Sequence, residues 1–209
     1  DTGVDEGTQY EYRLRALNEY GYSAYSNTIS VLTNQRPFGD HVEFNINEDD
    51  TLAIGMGPFE IIFSDPDPNN EFQFLTITSL PANGEFLFQE SPVTINRSIR
   101  KYALDSLVFI PDPDFFGQTT FQFKVNDGLD DSFNSYIATI NVLPVNDPPF
   151  ISEISDSETP ATTELEINFT VGDIDNTLNE LILTGHSDNQ TVIQDSKITF
   201  HGSEIGRAS

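Results

Sequence analysis

Cysteine and tryptophan are missing from the 209 residues, and methionine occurs once. Without Cys there is no disulfide framework and no thiolate metal site. Basic residues are scarce as well: 9 Lys plus Arg stand against 34 Asp plus Glu, for a net charge of −25. A chain so charged repels phosphate backbones and anionic bilayers, which argues against nucleic acid and membrane surfaces as partners. No run is long and apolar enough to span a bilayer. The first residue is Asp1 rather than Met and no leader-like apolar stretch follows, so any targeting signal is expected outside these residues.

Enzyme signatures are equally sparse. His41, His186 and His201 lie far apart, without a His-Glu-x-x-His spacing, and neither a Gly-x-Ser-x-Gly elbow nor a phosphate-binding glycine loop occurs. Asp112 and Asp114 form a carboxylate pair of the kind glycoside hydrolysis needs, but the aromatics around them alternate toward a core rather than lining a sugar cleft. The sequence therefore reads as non-catalytic.

What is abundant is Phe, 17 residues, joined by 7 Tyr. That much apolar surface separates the chain from disordered acidic tails. It is also spaced with period two, as in Tyr10-Glu11-Tyr12-Arg13-Leu14-Arg15-Ala16, Phe121-Gln122-Phe123-Lys124-Val125 and Ile167-Asn168-Phe169-Thr170-Val171. Asn83-Gly84, Asp127-Gly128 and Asp65-Pro66 punctuate the runs as turns. No window has the period of an amphipathic helix. The expectation is an all-β chain of Ig-like Greek-key sandwiches in tandem, with Phe63, Phe121, Phe123 and Tyr136 buried between the sheets of the complete one.

Two proline-bearing stretches divide the chain. Thr33-Asn34-Gln35-Arg36-Pro37 separates strands expected at residues 28–32 and 41–46, and Pro144-Val145-Asn146-Asp147-Pro148-Pro149 follows one expected at 136–143. Proline removes a ladder donor and stiffens a short connection, so both read as linkers. The resulting segments are 1–36, 37–149 and 150–209, with net charges of −2, −14 and −9. The acidity belongs to the second and third.

The first segment resembles the C-terminal half of a fibronectin type III domain, through Val4-x-Glu6-Gly7-Thr8-x-Tyr10-x-Tyr12-Arg13-x-Arg15-Ala16-x-Asn18, Gly21-x-Ser23 and Ser26-Asn27. In that family a tyrosine at the place of Tyr10 hydrogen-bonds back to the preceding loop. The middle segment resembles a bacterial cadherin-like tandem repeat. The matching residues are Asn47-Glu48-Asp49, Asp65-Pro66-Asp67, Pro81-x-Asn83-Gly84, Pro111-Asp112-Pro113-Asp114-Phe115-Phe116-Gly117, Val125-Asn126-Asp127-Gly128 and Asn146-Asp147-Pro148-Pro149. The third resembles the start of another bacterial Ig-like or cadherin-like repeat, through Phe169-Thr170-Val171-x-Asp173-x-Asp175.

The placement of the carboxylates suggests a cation. Ile61 and Phe63 have core parity that Asp65 continues; Phe121, Phe123 and Val125 lead the same way to Asp127, and Ile167, Phe169 and Val171 to Asp173. A carboxylate carried half inside the end of a sandwich is costly unless something neutralises it. In a Greek-key sandwich, Asp65, Asp67 and Asp127 fall at the near pole, where the chain enters. Glu48, Asp112 and Asp114 fall at the far pole, toward Asn146, Asp147, Asp173 and Asp175. Those seven residues make the stronger candidate set for Ca²⁺, which takes six to eight oxygen ligands. The near-pole trio is the weaker one, with Arg36 placed to neutralise Asp65 or Asp127. The cadherin-like resemblance implies inter-domain calcium at the same places. Asp49, Asp50, Asp130 and Asp131 are expected to be solvated surface.

The function expected is that of a calcium-rigidified extracellular repeat segment of a bacterial surface or secreted protein, serving adhesion or spacing. Its partners would be calcium and another cell-surface protein or a polysaccharide. The alternative is an accessory segment of a secreted multidomain enzyme such as a polysaccharide hydrolase.

Overall fold

Period-two alternation becomes paired strand wherever one face has a core to meet. The computed structural model describes residues 3–160 and 163–201, so the two ends of the outer segments lie outside the described residues. The chain divides into two compact units, Asp1–Pro144 and Val145–Ser209.

In the first unit, β1 (Gln9–Tyr12), β2 (Leu17–Asn18), β3 (Gly21–Tyr22) and β4 (Ile29–Leu32) form two small antiparallel pairs, β1 with β4 and β2 with β3. The hydroxyl of Tyr10 accepts the Asp5 N–H at 3.0 Å, the back-bond to the preceding loop expected of it. Leu14, Tyr20 and Ile29 remain exposed on these strands and their connections.

The sandwich of the same unit is built from β5 (Val42–Asn47), β6 (Leu52–Ala53), β7 (Phe74–Ser79), β8 (Gly84–Phe88), β9 (Ser91–Pro92), β10 (Arg97–Arg100), β11 (Leu107–Pro111), β12 (Gly117–Asn126) and β13 (Tyr136–Leu143). One sheet runs β10-β7-β12-β13-β5 and the other β6-β11-β8-β9. The first and last strands pair in parallel, Ala138 opposite Val42 through Leu143 opposite Asn47. They therefore begin at one pole and end at the other, which fixes the near and far poles. Between the sheets Phe121, Phe123 and Val125 are fully buried. Phe121 meets Phe86 edge-on with centroids 4.8 Å apart, and Phe123 meets Phe59 at 5.0 Å. Such pairs add to the area they bury. The all-β, Ig-like sandwich architecture is as the sequence implies.

Three expectations need correction. Residues 57–62 are not a strand but a short helix, α1 (Gly57–Ile62), with Pro58 in its first turn. The apolar residues there, Phe59, Ile62 and Phe63, follow the helical spacing i, i+3, i+4 rather than alternation. Phe59 is fully buried, whereas Ile61 is 85% exposed, so the parity drawn from Ile61 and Phe63 to Asp65 does not hold. Phe63 and Tyr136 are half-buried residues packed against the core rather than part of its interior.

In the second unit, β14 (Phe150–Ile151) pairs with β15 (Val171–Gly172). The alternation before β15 is only partly realised: Val171 is buried and Phe169 packs edge-on against Phe200, but Ile167 is exposed. Among the described residues this is the one β-pair of the unit, so the apolar stripe has little sheet to bury itself against.

Candidate functional site

β12 delivers the first carboxylate. Its buried face runs Phe121, Phe123, Val125 and continues into Asp127, only 7% exposed. Burial at that depth requires donors, and Asp127 has four. The N–H groups of Leu129 and Asp130 reach Oδ1 at 2.7 Å each, and the carboxamides of Asn34 and Asn70 reach Oδ2 at 2.9 and 3.3 Å.

The loop after α1 brings Asp65 and Asp67 to the same pole. Phe38 and Ser64 form an antiparallel bridge that anchors this loop to the start of the sandwich. The Asp67 N–H donates to Asp65 Oδ1 at 2.8 Å, closing an Asx turn. Asp67 Oδ2 in turn accepts the Gln35 N–H of the linker at 2.7 Å. Asp65 Oδ2 is buried and has no hydrogen-bond partner. Burial pushes the Asp65 carboxyl above its ordinary range and the charges of Asp127 and Asp67 add to it; the bond from Asp67 N–H and, more weakly, the nearby Asn70 carboxamide oppose it.

The second unit repeats this arrangement. Asp175 N–H donates to Asp173 Oδ1 at 2.9 Å, and Asp175 Oδ2 accepts the linker N–H of Asp147 at 2.6 Å. Asp173 Oδ2, like Asp65 Oδ2, is buried without a hydrogen-bond partner. The Asn176 N–H adds a second bond to Asp173 Oδ1 at 2.9 Å. Asn146, which precedes Asp147 as Asn34 precedes Gln35, is exposed and donates to the Asp147 carbonyl at 2.8 Å. The Asx turn accounts for Oδ1 in both units. It leaves Oδ2 to be satisfied by something else.

At the far pole of the sandwich, Glu48 continues the buried parity of β5 and is 3% exposed, its N–H bound to the Leu143 carbonyl at 2.9 Å. Asp112 and Asp114 lie in the turn between β11 and β12 and are exposed. The Phe115 N–H closes that turn on the Asp112 carbonyl, and Asp114 has φ +60°. Within the sandwich, Glu48, Asp112 and Asp114 thus lie at the pole opposite Asp65, Asp67 and Asp127. Among the described residues, no three Asp, Glu or His side chains converge closely enough to hold a metal ion by themselves. Any ion at these poles would draw on carboxamide, backbone or water oxygen as well, which calcium accepts.

Two further corrections concern charge. Arg36 neutralises neither Asp65 nor Asp127: its Nε lies 2.7 Å from Glu6 Oε1, and a guanidinium N–H donates to the Asp131 carbonyl at 3.4 Å. The bond to Glu6 raises its pKa further and keeps it charged. Asp130 and Asp131 are half-buried rather than solvated. Asp130 accepts from Asn34 at 3.2 Å, and Asp131 Oδ1 accepts from Asn126 at 2.9 Å and Thr76 at 3.2 Å. Asn34 and Asn70 were not among the residues singled out from sequence. The linker register, Asn34 against Asn146, holds the signal for the first; the run Asp65-Pro66-Asp67-Pro68-Asn69-Asn70 reads as turn and holds none for the second.

A family model described as a bacterial Ig domain matches residues 34–142, just over half of the chain. No curated protein matches the sequence significantly.

Proposed function

Because the chain belongs to the bacterial Ig domain family, we propose that it is a non-catalytic, cadherin-like repeat segment of an extracellular bacterial protein, stiffened by calcium where repeats meet. Modules of this family are usually extracellular or surface-borne, and no helix among the described residues is long and apolar enough to cross a membrane. The first segment fits the closing strands of a fibronectin type III-like module, with the Tyr10 back-bond to Asp5 as its support. Adhesion or spacing is the role that fits a row of such modules.

One observation carries the calcium reading: the same Asp-x-Asp turn occurs in both units, each tied to its linker N–H and each leaving a buried Oδ2 unsatisfied, at Asp65 and at Asp173. A structural turn has no need of an orphaned buried carboxylate oxygen, and a cation supplies what it lacks. The stronger site comprises Asn146, Asp147, Asp173 and Asp175. Asp65, Asp67 and Asp127 form the weaker one. The linker position held by neutral Gln35 in the first is held by Asp147 in the second, which adds a charge to attract the ion.

Calorimetric titration of the full chain with calcium tests this. Asp173→Ala and Asp175→Ala are expected to remove the tighter binding event, while Asp105→Ala, on an exposed position, leaves it intact. No heat of binding in the wild type, or unaltered binding in both variants, contradicts the proposal.

A further inference from the structure

We infer that the joint between the first segment and the sandwich is closed by the protein's own donors and stays closed without a cation. This stands apart from the calcium reading of the second joint, because every group it uses lies between Asp5 and Asp131 in the first unit.

Every residue from Thr33 to Phe38 is fastened. Thr33 and Thr8 exchange bonds, the Thr8 N–H to Thr33 Oγ1 at 2.9 Å and the Thr33 N–H to the Thr8 carbonyl at 3.1 Å. Asn34 donates to Asp127 and Asp130, and Gln35 to Asp67 through its backbone N–H. Arg36 joins Glu6 of the first segment to the Asp131 carbonyl of the sandwich. Pro37 is fully buried, and Phe38 exchanges backbone bonds with Ser64 at 2.8 and 3.0 Å. Gly7 completes the contact: a Cβ there would stand 2.7 Å from Gln35 Cδ, so the side chain of Gln35 lies directly over the glycine.

The direction of these bonds decides what holds the joint. A calcium-held joint presents oxygen to a central ion. Here Asp127, Asp130 and Asp67 of the near pole are met by N–H donors of the linker, namely the Asn34 carboxamide and the Gln35 backbone, while the Arg36 guanidinium joins Glu6 to the Asp131 carbonyl. The exposed Arg36–Glu6 pair contributes little by itself; the weight falls on the half-buried amides and on buried Pro37, where an unmade bond is costly. In the second linker, Asp147 and Pro148 stand where Gln35 and Arg36 stand in the first. That sequence keeps the Asn but replaces the carboxamide by a carboxylate and the cation by a residue with no donor. The two linkers therefore differ, and the first joint is closed by its own amides.

Spin-label distance measurement on the full chain separates them, and the lack of native Cys makes the labelling clean. One pair, Ser30→Cys with Glu43→Cys, spans the first joint; a second, Glu43→Cys with Ser155→Cys, spans the other. The first pair is expected to give the same single narrow distance in calcium and in chelator. It should lose that narrow peak when Asn34→Asp and Arg36→Ala are introduced together, with the melting transition of the sandwich retained to show that it still folds. Loss of the narrow peak in the wild type on chelation, or its survival in the double variant, overturns the inference. The second pair reports separately on the calcium proposal: if it does not respond to chelator, that reading fails while the closed first joint stands.

Discussion

The backbone N–H of Gln35 lies 2.7 Å from Asp67 Oδ2, and the backbone N–H of Asp147 lies 2.6 Å from Asp175 Oδ2. The two contacts are the same contact, made once per repeat. Each ties the linker to an Asp-x-Asp turn. The first aspartate of that turn keeps one oxygen buried without a hydrogen-bond partner.

Asp65→Asn is expected to have opposite effects with and without calcium. In chelator it removes a buried, unsatisfied charge and should stabilise the unit by about 1 kcal/mol. In calcium it should abolish any gain that the near-pole site gives. The pH dependence follows from the raised folded-state pKa of Asp65. The native state holds this proton more tightly than the unfolded chain, so stability in chelator falls as pH rises from the ordinary aspartate range through the raised value. Denaturant melts of wild type and Asp65→Asn across that range check both statements: the variant should lack this falling contribution.

Asp127→Ala should be among the most damaging changes at the near pole. It strands the N–H groups of Leu129 and Asp130 and the carboxamides of Asn34 and Asn70. A loss of about 2–4 kcal/mol is expected from several donors left unpaired together. A urea titration that places the variant within 0.5 kcal/mol of wild type, a margin typical of surface changes, would show that these bonds are not what secures the loop.

Phe59→Ala and Ile61→Ala discriminate helix from strand in the segment before Asp65. Phe59 is fully buried among Phe44, Phe72 and Phe123, while Ile61 faces solvent. The first should cost about 3–5 kcal/mol and the second stay within about 0.5 kcal/mol. Equal costs would restore the strand reading of this segment.

Gly7→Ala should loosen the first joint. Gly7 has φ +62°, and its Cβ would collide with Gln35, whose N–H is committed to Asp67. Backbone strain of about 1 kcal/mol is expected. Proteolysis within residues 33–37, negligible in the wild type, should become measurable.

Much of this was legible in the residues. Alternation located β5, β12 and β13 closely, because each has one face on a deep core, and in β12 it ran correctly through Val125 into Asp127. The loop partner of Tyr10 was legible through the fibronectin type III resemblance, which implies a back-bond to the preceding loop, and the Asp5 N–H makes it. Asp65 was placed at the right pole by a parity that does not exist: a helix of six residues has room for one buried side chain, Phe59, and three apolar residues within so short a stretch satisfy either period. Asn70 has no sequence signal because its role depends on two loops meeting 36 residues apart, where it donates to Asn34 at 2.9 Å. Asp130 and Asp131 look like solvated charge in sequence; the loop folds them back onto β7 and the linker.

The central claim is that carboxylates in these repeats await a cation, and a thermal melt of the full chain in millimolar calcium and in chelator tests it most directly. Ligand bound only by the native state stabilises by RT ln(1 + [L]/Kd), about 2.7 kcal/mol at a hundredfold excess over Kd. For a chain of this size that is a rise of about 5–10 °C in Tm. The account predicts such a rise, reversed by chelator and reduced in Asp173→Ala. Coincident melting curves in calcium and chelator would contradict it, leaving the Asp-x-Asp motifs as turns and nothing more.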